Sequence, residues 1–332
     1  MNVVNPLGKE AVIAVVGSGA LGQFYAAQFS LAGHSLRLLA RRDASVLKER
    51  GLVVHQTATP KIRSSLAHPV LRIAPERLTI GTDARLLATP PEPDWVLVAL
   101  KTTALDQAQQ LVDPLLGPAT RIVVMCNGLG VEDRFAAWFG AERVYGLLCF
   151  VGVNRGENGT IQHLAFGHVA AGHFLDNPML RESLVQLCKG AGIACDSTQS
   201  LLEARWRKLS WNLPFNGLSL AYNCTTDAIV LDPIRRAFAL QLAQEAVAIG
   251  NLDLAAHGQD VRIEPEWANL QLLRTDTMGA YAPSTLLDAR AGRSQETDVM
   301  FAEPARRAQR LGMKAPALRQ LLDVLASRGI PV

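Results

Sequence analysis

Residues 11–22 read AVIAVVGSGALG: five uninterrupted apolar residues, Val12 to Val16, run into the clustered glycines Gly17, Gly19 and Gly22, and an apolar stretch from Ala20 to Ala32 follows at once. The pattern predicts a buried strand, a tight turn and a helix. Such a unit directs free backbone N–H groups and the positive end of a helix dipole at one spot, which suits a pyrophosphate. Gly17 allows the turn, Gly19 lets backbone approach the phosphates, and Gly22 lets the helix pack on the strand, so Gly17, Ser18, Gly19, Ala20, Leu21 and Gly22 are the expected dinucleotide contacts. A second strand-like run, Ser35 to Ala40, arrives at the distance of a βαβ unit. The window between Glu10 and His34 carries no charge and is long enough to cross a bilayer. Three glycines, Ser18, Gln23, Gln28, Ser30 and the change of character at Gly17 argue for the nucleotide turn instead. The first ten residues hold one acid and one base, so no secretory leader is expected.

A chain of 332 residues has room for two domains with real cores. Its 49% apolar and 19% charged residues fit a globular enzyme and exclude wholesale disorder. A net charge of +3, scattered along the chain, gives no footprint for nucleic acid. Cys126, Cys149, Cys188, Cys195 and Cys224 are odd in number and lack CxxC spacing, so reduced thiols in a cytoplasmic protein are expected. The histidines are dispersed, and no metal site is expected.

Arg41-Arg42-Asp43 closes the second strand. An acid there suits a ribose 2′-OH and an arginine suits a 2′-phosphate, so Arg41 favours NADPH. Asp94 to Lys101 reads as a buried strand ending on Lys101, at the sheet edge where open α/β folds bind ligands. Thr103 to Leu116 reads as a helix and Arg121 to Cys126 as a strand, followed by Asn127-Gly-Leu-Gly130. Asn127 can offer a donor and an acceptor at that edge, and Asn-Gly is also a strong turn signal. Val144 to Val153 is a further strand, and Gly159 to Phe174 a bent strand or hairpin whose His163, His168 and His173 read as structural or exposed. Arg181 to Ala194 makes a last αβ unit before the composition shifts near Ser197.

From Leu201 onward helical periodicity dominates. The expected helices are Leu201 to Tyr222, Asp232 to His257, Pro265 to Ala280, Ser284 to Ala291, Asp298 to Leu311 and Pro316 to Arg328. The predicted architecture is therefore α/β: a Rossmann-type parallel-sheet domain over 1–198, an all-α domain over 199–332, and a cleft between them. Apolar helices such as Ala237 to Ile249 could supply a homodimer face.

Glu203 to Asn216 reads EARWRKLSWNLPFN. Lys208, Asn212 and Asn216 recur every four residues and share one helical stripe, opposite Leu209, Leu213 and Leu220. One cation with two carboxamides is unlike a solvated face of mixed Glu and Lys, and looks like a line of hydrogen-bonding groups. Pro214 inside this helix should bend it.

The strand with its GSGALG turn, the Val-Ala-Leu-Lys strand end, Asn-Gly-Leu-Gly, the Trp-Arg-Lys-Leu-x-x-Asn-x-x-x-Asn helix and a distal Glu together resemble the ketopantoate reductase (2-dehydropantoate 2-reductase) family over nearly the whole chain. The resemblance implies NADPH-dependent reduction of a 2-keto acid, ketopantoate to pantoate. Lys208 then looks like the proton donor and Asn212 and Asn216 resemble substrate-binding asparagines. Ser284 resembles the serine that meets the carboxylate, and Glu296 the glutamate near the ribose and the lysine. Lys101, Asn127 and Arg41 match cofactor and cleft positions. The chain departs from the family pattern at Leu147 to Val151, at Thr226 and at Phe301-Ala302, all expected near the substrate. A reductase of another keto acid and an NADPH-sensing protein without turnover are the two other readings at this point.

Overall fold

The computed structural model describes residues 10–56 and 69–332. The expectation about a leader rests on the first ten residues, of which 1–9 lie outside the described residues. Two compact units form. One holds the described residues up to Cys126 together with Glu132–Leu201, and the other holds Asn127–Val131 with Leu202–Val332.

In chain order the first part of the fold runs β1 Val12–Val16, α1 Ala20–Leu31, β2 Ser35–Leu39, α2 Ala44–Arg50, β3 Leu52–Gln56, β4 Val70–Ile73 and β5 Leu78–Gly81. It continues with β6 Trp95–Val98, α3 Ala108–Val112, β7 Arg121–Val124, α4 Val131–Phe139, β8 Val144–Arg155, β9 Ile161–His173, α5 Pro178–Gly190 and β10 Cys195–Ser197. The strands make one sheet in the order β4-β3-β9-β8-β7-β6-β1-β2-β5, with β10 on β9. The order places β1 inside, parallel to both β2 and β6. Ile13 to Val16 are fully buried, as a strand covered on both faces requires. Val16 is level with Leu39 and with Val98, and Val98 with Val124, so β1, β2, β6 and β7 all end at one edge of the sheet. Phe24, Tyr25 and Phe29 of α1 are sunk into the hydrophobic core beside Leu36, Leu38 and Leu147.

The predicted hairpin is present as antiparallel β8 and β9, with register shifts beside Val151 and Val153. His168 is exposed and stacks on Phe150 at 4.7 Å, whereas His163 and His173 are buried. The His163 Nε2–H donates to the Phe166 carbonyl at 2.8 Å, and its ring lies 4.5 Å from that of Phe24. Burial lowers the pKa of His163. The unfolded chain therefore binds more protons than the folded one below about pH 6.5, and stability present above that value declines as the pH falls. Thermal melts between about pH 7.5 and about pH 5 should show this decline in the wild type and a shallower one in His163→Gln. Equal slopes would show that His163 contributes nothing to it.

Thr103 to Leu116 is not the continuous helix expected. Only α3 is α-helical, between 3₁₀ turns at Thr102–Gln107 and Asp113–Leu115. Pro114 has no N–H to continue the ladder, so the α-helix stops at Val112.

The chain then runs through α6 Leu201–Tyr222, α7 Thr226–Val230, α8 Pro233–Ala256, α9 Glu266–Asp276 and α10 Ser284–Arg290. A π-helical turn, Asp298–Ala302, leads into α11 Glu303–Arg310, and α12 Pro316–Ser327 ends the series. The periodicity missed only the short α7. Helix α6 continues through Pro214. Asp232 caps α8 by accepting from the amides of Ile234 and Arg235 at 2.9 and 3.0 Å. Glu245 reaches from α8 to the amides of Ala317 and Leu318, both at 2.8 Å, and caps α12 from a distance. The stretch Ala237 to Ile249 does not offer a dimer face: Ala239, Leu242, Ala243, Ala246 and Ile249 are fully buried within the single chain. Among the described residues, no helix is long and apolar enough to cross a membrane.

Candidate functional site

In the first unit the glycine turn leaves β1 with Gly17 at φ +104°, and a Cβ there would lie 2.6 Å from the Ala99 carbonyl carbon. Only glycine fits both the angle and the space. At Gly19 a Cβ would meet nothing within 4 Å, so the backbone faces open space. Gly19 is also the N-cap of α1; as glycine it has no side chain to cap the helix, and the first turn of α1 holds no acid. Amides at a helix start, beside a glycine whose Cβ position meets no described residue, fit a pyrophosphate. The Ser18 hydroxyl donates to the Leu39 carbonyl at 2.5 Å and ties the turn to the end of β2.

Just beyond β2, Arg41 is exposed and its guanidinium donates to the Gln107 side chain at 3.2 Å. Asp43 is buried; its carboxylate accepts from Gln23 Nε2 at 2.9 Å and pairs with Arg155. The strand end thus presents a cation and keeps its acid occupied, which fits a 2′-phosphate better than a bare 2′-OH. Lys101 is exposed at the N-cap of the turn that follows β6.

The second unit holds the other constellation. Lys208 Nζ donates to Asn127 Oδ1 at 3.0 Å, and Asn127 Nδ2 donates to Glu296 Oε2 at 3.2 Å. A lysine ammonium can only donate and a carboxylate only accept, so the partners fix which way the Asn127 amide points. Glu296 is buried and Lys208 half-buried.

Several contacts set the rotation of α6. Trp206 Nε1 donates to Asp253 on α8 at 2.8 Å, and Trp211 Nε1 donates to Thr275 on α9 at 2.9 Å. Arg207 pairs with Glu203 and Glu264 and lies over the Trp267 ring at 4.3 Å. With these neighbours turned to α8 and α9, Lys208 is left for Asn127. The Asn127 loop is pinned in turn, because the Leu129 amide donates to the Val299 carbonyl at 3.1 Å.

Asn212 and Asn216 are buried on α6. Asn216 Nδ2 lies 3.7 Å from the Met300 sulfur, while its Oδ1 is buried with no hydrogen-bond partner among the described residues. A bare acceptor of this kind is costly unless something donates to it. Ser284 is exposed at the first position of α10. The structure therefore brings Asn127, Lys208 and Glu296 into contact and leaves Ser284 outside that chain of hydrogen bonds. Among the departures from the family pattern, Leu147, Thr226 and Phe301 are fully buried packing positions, whereas Phe150, Val151 and Ala302 are partly exposed. The Thr226 hydroxyl is spent on the carbonyls of Gly279 and Tyr281, at 2.8 and 3.3 Å. Sequence reasoning missed the roles of Gln23 and of Arg155, Trp206 and Asp253, the last three because their partners lie 47 to 112 residues along the chain.

A family model described as ketopantoate reductase PanE/ApbA matches residues 13–176, and the model of its C-terminal part matches 200–328. A 2-dehydropantoate 2-reductase of Nostoc sp. is 29% identical over 323 residues, covering 96% of this chain and 95% of its own. The crystal structure of 2-dehydropantoate 2-reductase from Geobacter metallireducens is 33% identical with a TM-score of 0.85, covering 96% of this chain and 99% of its own. That of the Methylococcus capsulatus enzyme is 26% identical with a TM-score of 0.81, covering 97% and 98%. With both parts matched and a relative of known structure one-third identical over nearly its full length, the chain belongs to the ketopantoate reductase family.

Proposed function

We propose that this protein reduces 2-dehydropantoate to pantoate in the cytoplasm, with Lys208 as proton donor. The observation that carries the reading is the hydrogen-bonded chain from Lys208 through Asn127 to Glu296. NADPH supplies the hydride, and the residues that would hold it are the turn from Gly17 to Gly22, Arg41 for the 2′-phosphate, and Lys101. As hydride reaches the ketone carbon, negative charge grows on its oxygen, and the Lys208 ammonium can stabilise that charge and then protonate it. Asn127 accepts one of the three ammonium protons and so limits the directions of the other two. Glu296 holds Asn127 in that orientation. The bare Asn216 Oδ1 suits the one hydroxyl of ketopantoate, with Asn212 beside it on the stripe and Ser284 offered to the carboxylate.

The test is loss of the near-ultraviolet absorbance of NADPH with ketopantoate, set against pyruvate, 2-ketoisovalerate and oxaloacetate, and against NADH. Turnover with ketopantoate and NADPH supports the proposal; tight NADPH binding with no ketopantoate turnover overturns the substrate. Arg41→Ala should raise the KM for NADPH by about 10- to 100-fold, the worth of a charge-assisted phosphate contact, and leave the KM for NADH nearly unchanged. Equal KM changes for the two cofactors would remove Arg41 from the 2′-phosphate.

Pairing of two copies belongs to the same proposal. Its apolar surface would include Leu231 and Ile234, which are 80% and 82% exposed. Light scattering at micromolar concentration decides between one copy and two.

A further inference from the structure

Asp43 sits where dinucleotide folds place the acid that reads a ribose 2′-OH, about 20 residues past the last glycine of the turn. It occupies the N-cap position of α2, yet its carboxylate caps none of that helix's amides. It turns instead to Gln23 of α1 and to Arg155, the last residue of β8, 112 residues further along the chain. The same Arg155 guanidinium donates through Nη2 to the Ser18 carbonyl at 2.9 Å, and Gln23 Nε2 donates to that carbonyl at 2.9 Å as well. Two side chains therefore join the phosphate turn to the acid beside it. The acid is only 8% exposed at its side chain and the arginine 36%.

We propose that Arg155 is a positioning residue that sets cofactor choice: it neutralises Asp43 and holds it against the glycine turn, so that the strand end offers the Arg41 cation and no available carboxylate. A free Asp43 would repel a 2′-phosphate and accept from a 2′-OH. A neutralised one does neither, and NADPH is favoured at a position that still carries the acid of an NAD site. The inference rests on the reading that the glycine turn holds NADPH.

The experiment titrates NADPH and NADH by nicotinamide fluorescence into the wild type, Arg155→Met, Arg155→Lys, Asp43→Asn and the double variant Arg155→Met/Asp43→Asn. Arg155→Met should weaken NADPH about tenfold, the scale of one unpaired charge facing another across a protein surface, and NADH no more than about twofold. Arg155→Lys should keep the wild-type ratio, and the double variant should return to it within about threefold, because the charge that opposed the phosphate is gone. Equal weakening of both cofactors, or a double variant that stays at the Arg155→Met ratio, overturns the proposal and leaves Arg155 a prop for the turn. Asp43→Asn keeps the shape of the site and gives a second reading should Arg155→Met not fold. Its NADH affinity should be unchanged, and a clear fall would mean that Asp43 already bonds the ribose, against the proposal. A wild type with no preference for NADPH would refute the cofactor reading and this inference together, whereas an NADPH-to-NADH affinity ratio left unchanged by Arg155→Met refutes this inference alone.

Discussion

Lys208→Ala should lower kcat by about 10²- to 10⁴-fold, the usual worth of a positioned general acid, while the dissociation constant for NADPH stays within about twofold of the wild type. The expectation follows from what Lys208 can reach. Its ammonium donates to Asn127 within the helical unit, and the glycine turn that is expected to take the pyrophosphate belongs to the other unit. Removing the side chain would delete the proposed proton source and leave the turn's own donors in place. Because the developing alkoxide exists only in the transition state, the loss should fall on kcat and kcat/KM together. Lys208→Arg keeps a cation of similar reach, but a guanidinium stays protonated at working pH and donates a proton poorly, so it should bind NADPH normally and turn over slowly. Steady-state kinetics with fluorescence titration of NADPH separates the two quantities. A Lys208→Ala variant that keeps more than about a tenth of the wild-type kcat would remove Lys208 from the chemistry.

The parts of the fold that were legible from sequence are those whose cause is local. Helix α6 was read to the residue, because Leu209, Leu213 and Leu220 oppose the Lys208, Asn212 and Asn216 stripe at helical spacing. Strand β1 and its turn were equally legible: β-branched residues followed by glycines at fixed offsets have few alternative conformations. Thr103 to Leu116 misled, since residue preferences favour a helix there and the interruption at Pro114 weighs more. What local signals could not carry was the choice of partner. The partner of Asp43 depends on the antiparallel return of β8 and β9, which fixes where Arg155 ends. The Trp206 indole N–H needs Asp253, 47 residues away, to set the rotation of α6, and no local spacing announces that partner. The clustering of Asn127–Val131 with the helical unit has no periodicity to announce it; it depends on contacts with Val299 and Glu296 that only the tertiary fold supplies.

That docking makes Gly128 a position where one added methyl group should disturb the site through Asn127. Gly128 has φ +87°, a conformation that side-chain-bearing residues seldom adopt, and a Cβ there would lie 2.5 Å from Cβ and Cγ2 of Val299. Val299 is buried in the π-helical turn and its carbonyl already holds the Leu129 amide, so it has little room to retreat. Gly128→Ala must therefore move the loop, and the residue immediately before it is Asn127, whose two hydrogen bonds join Lys208 to Glu296. A displacement of about 1 Å in a group that orients a proton donor can cost about 10²-fold in rate. We expect kcat to fall by about that factor in Gly128→Ala, with NADPH affinity little changed and a melting temperature only a few degrees lower. Val299→Ala should partly restore the rate in Gly128→Ala by opening the space that the new methyl needs, at the cost of a small cavity. If Gly128→Ala keeps the wild-type kcat, the orientation of Lys208 does not depend on Asn127, and the proton donor must be held by other contacts on α6.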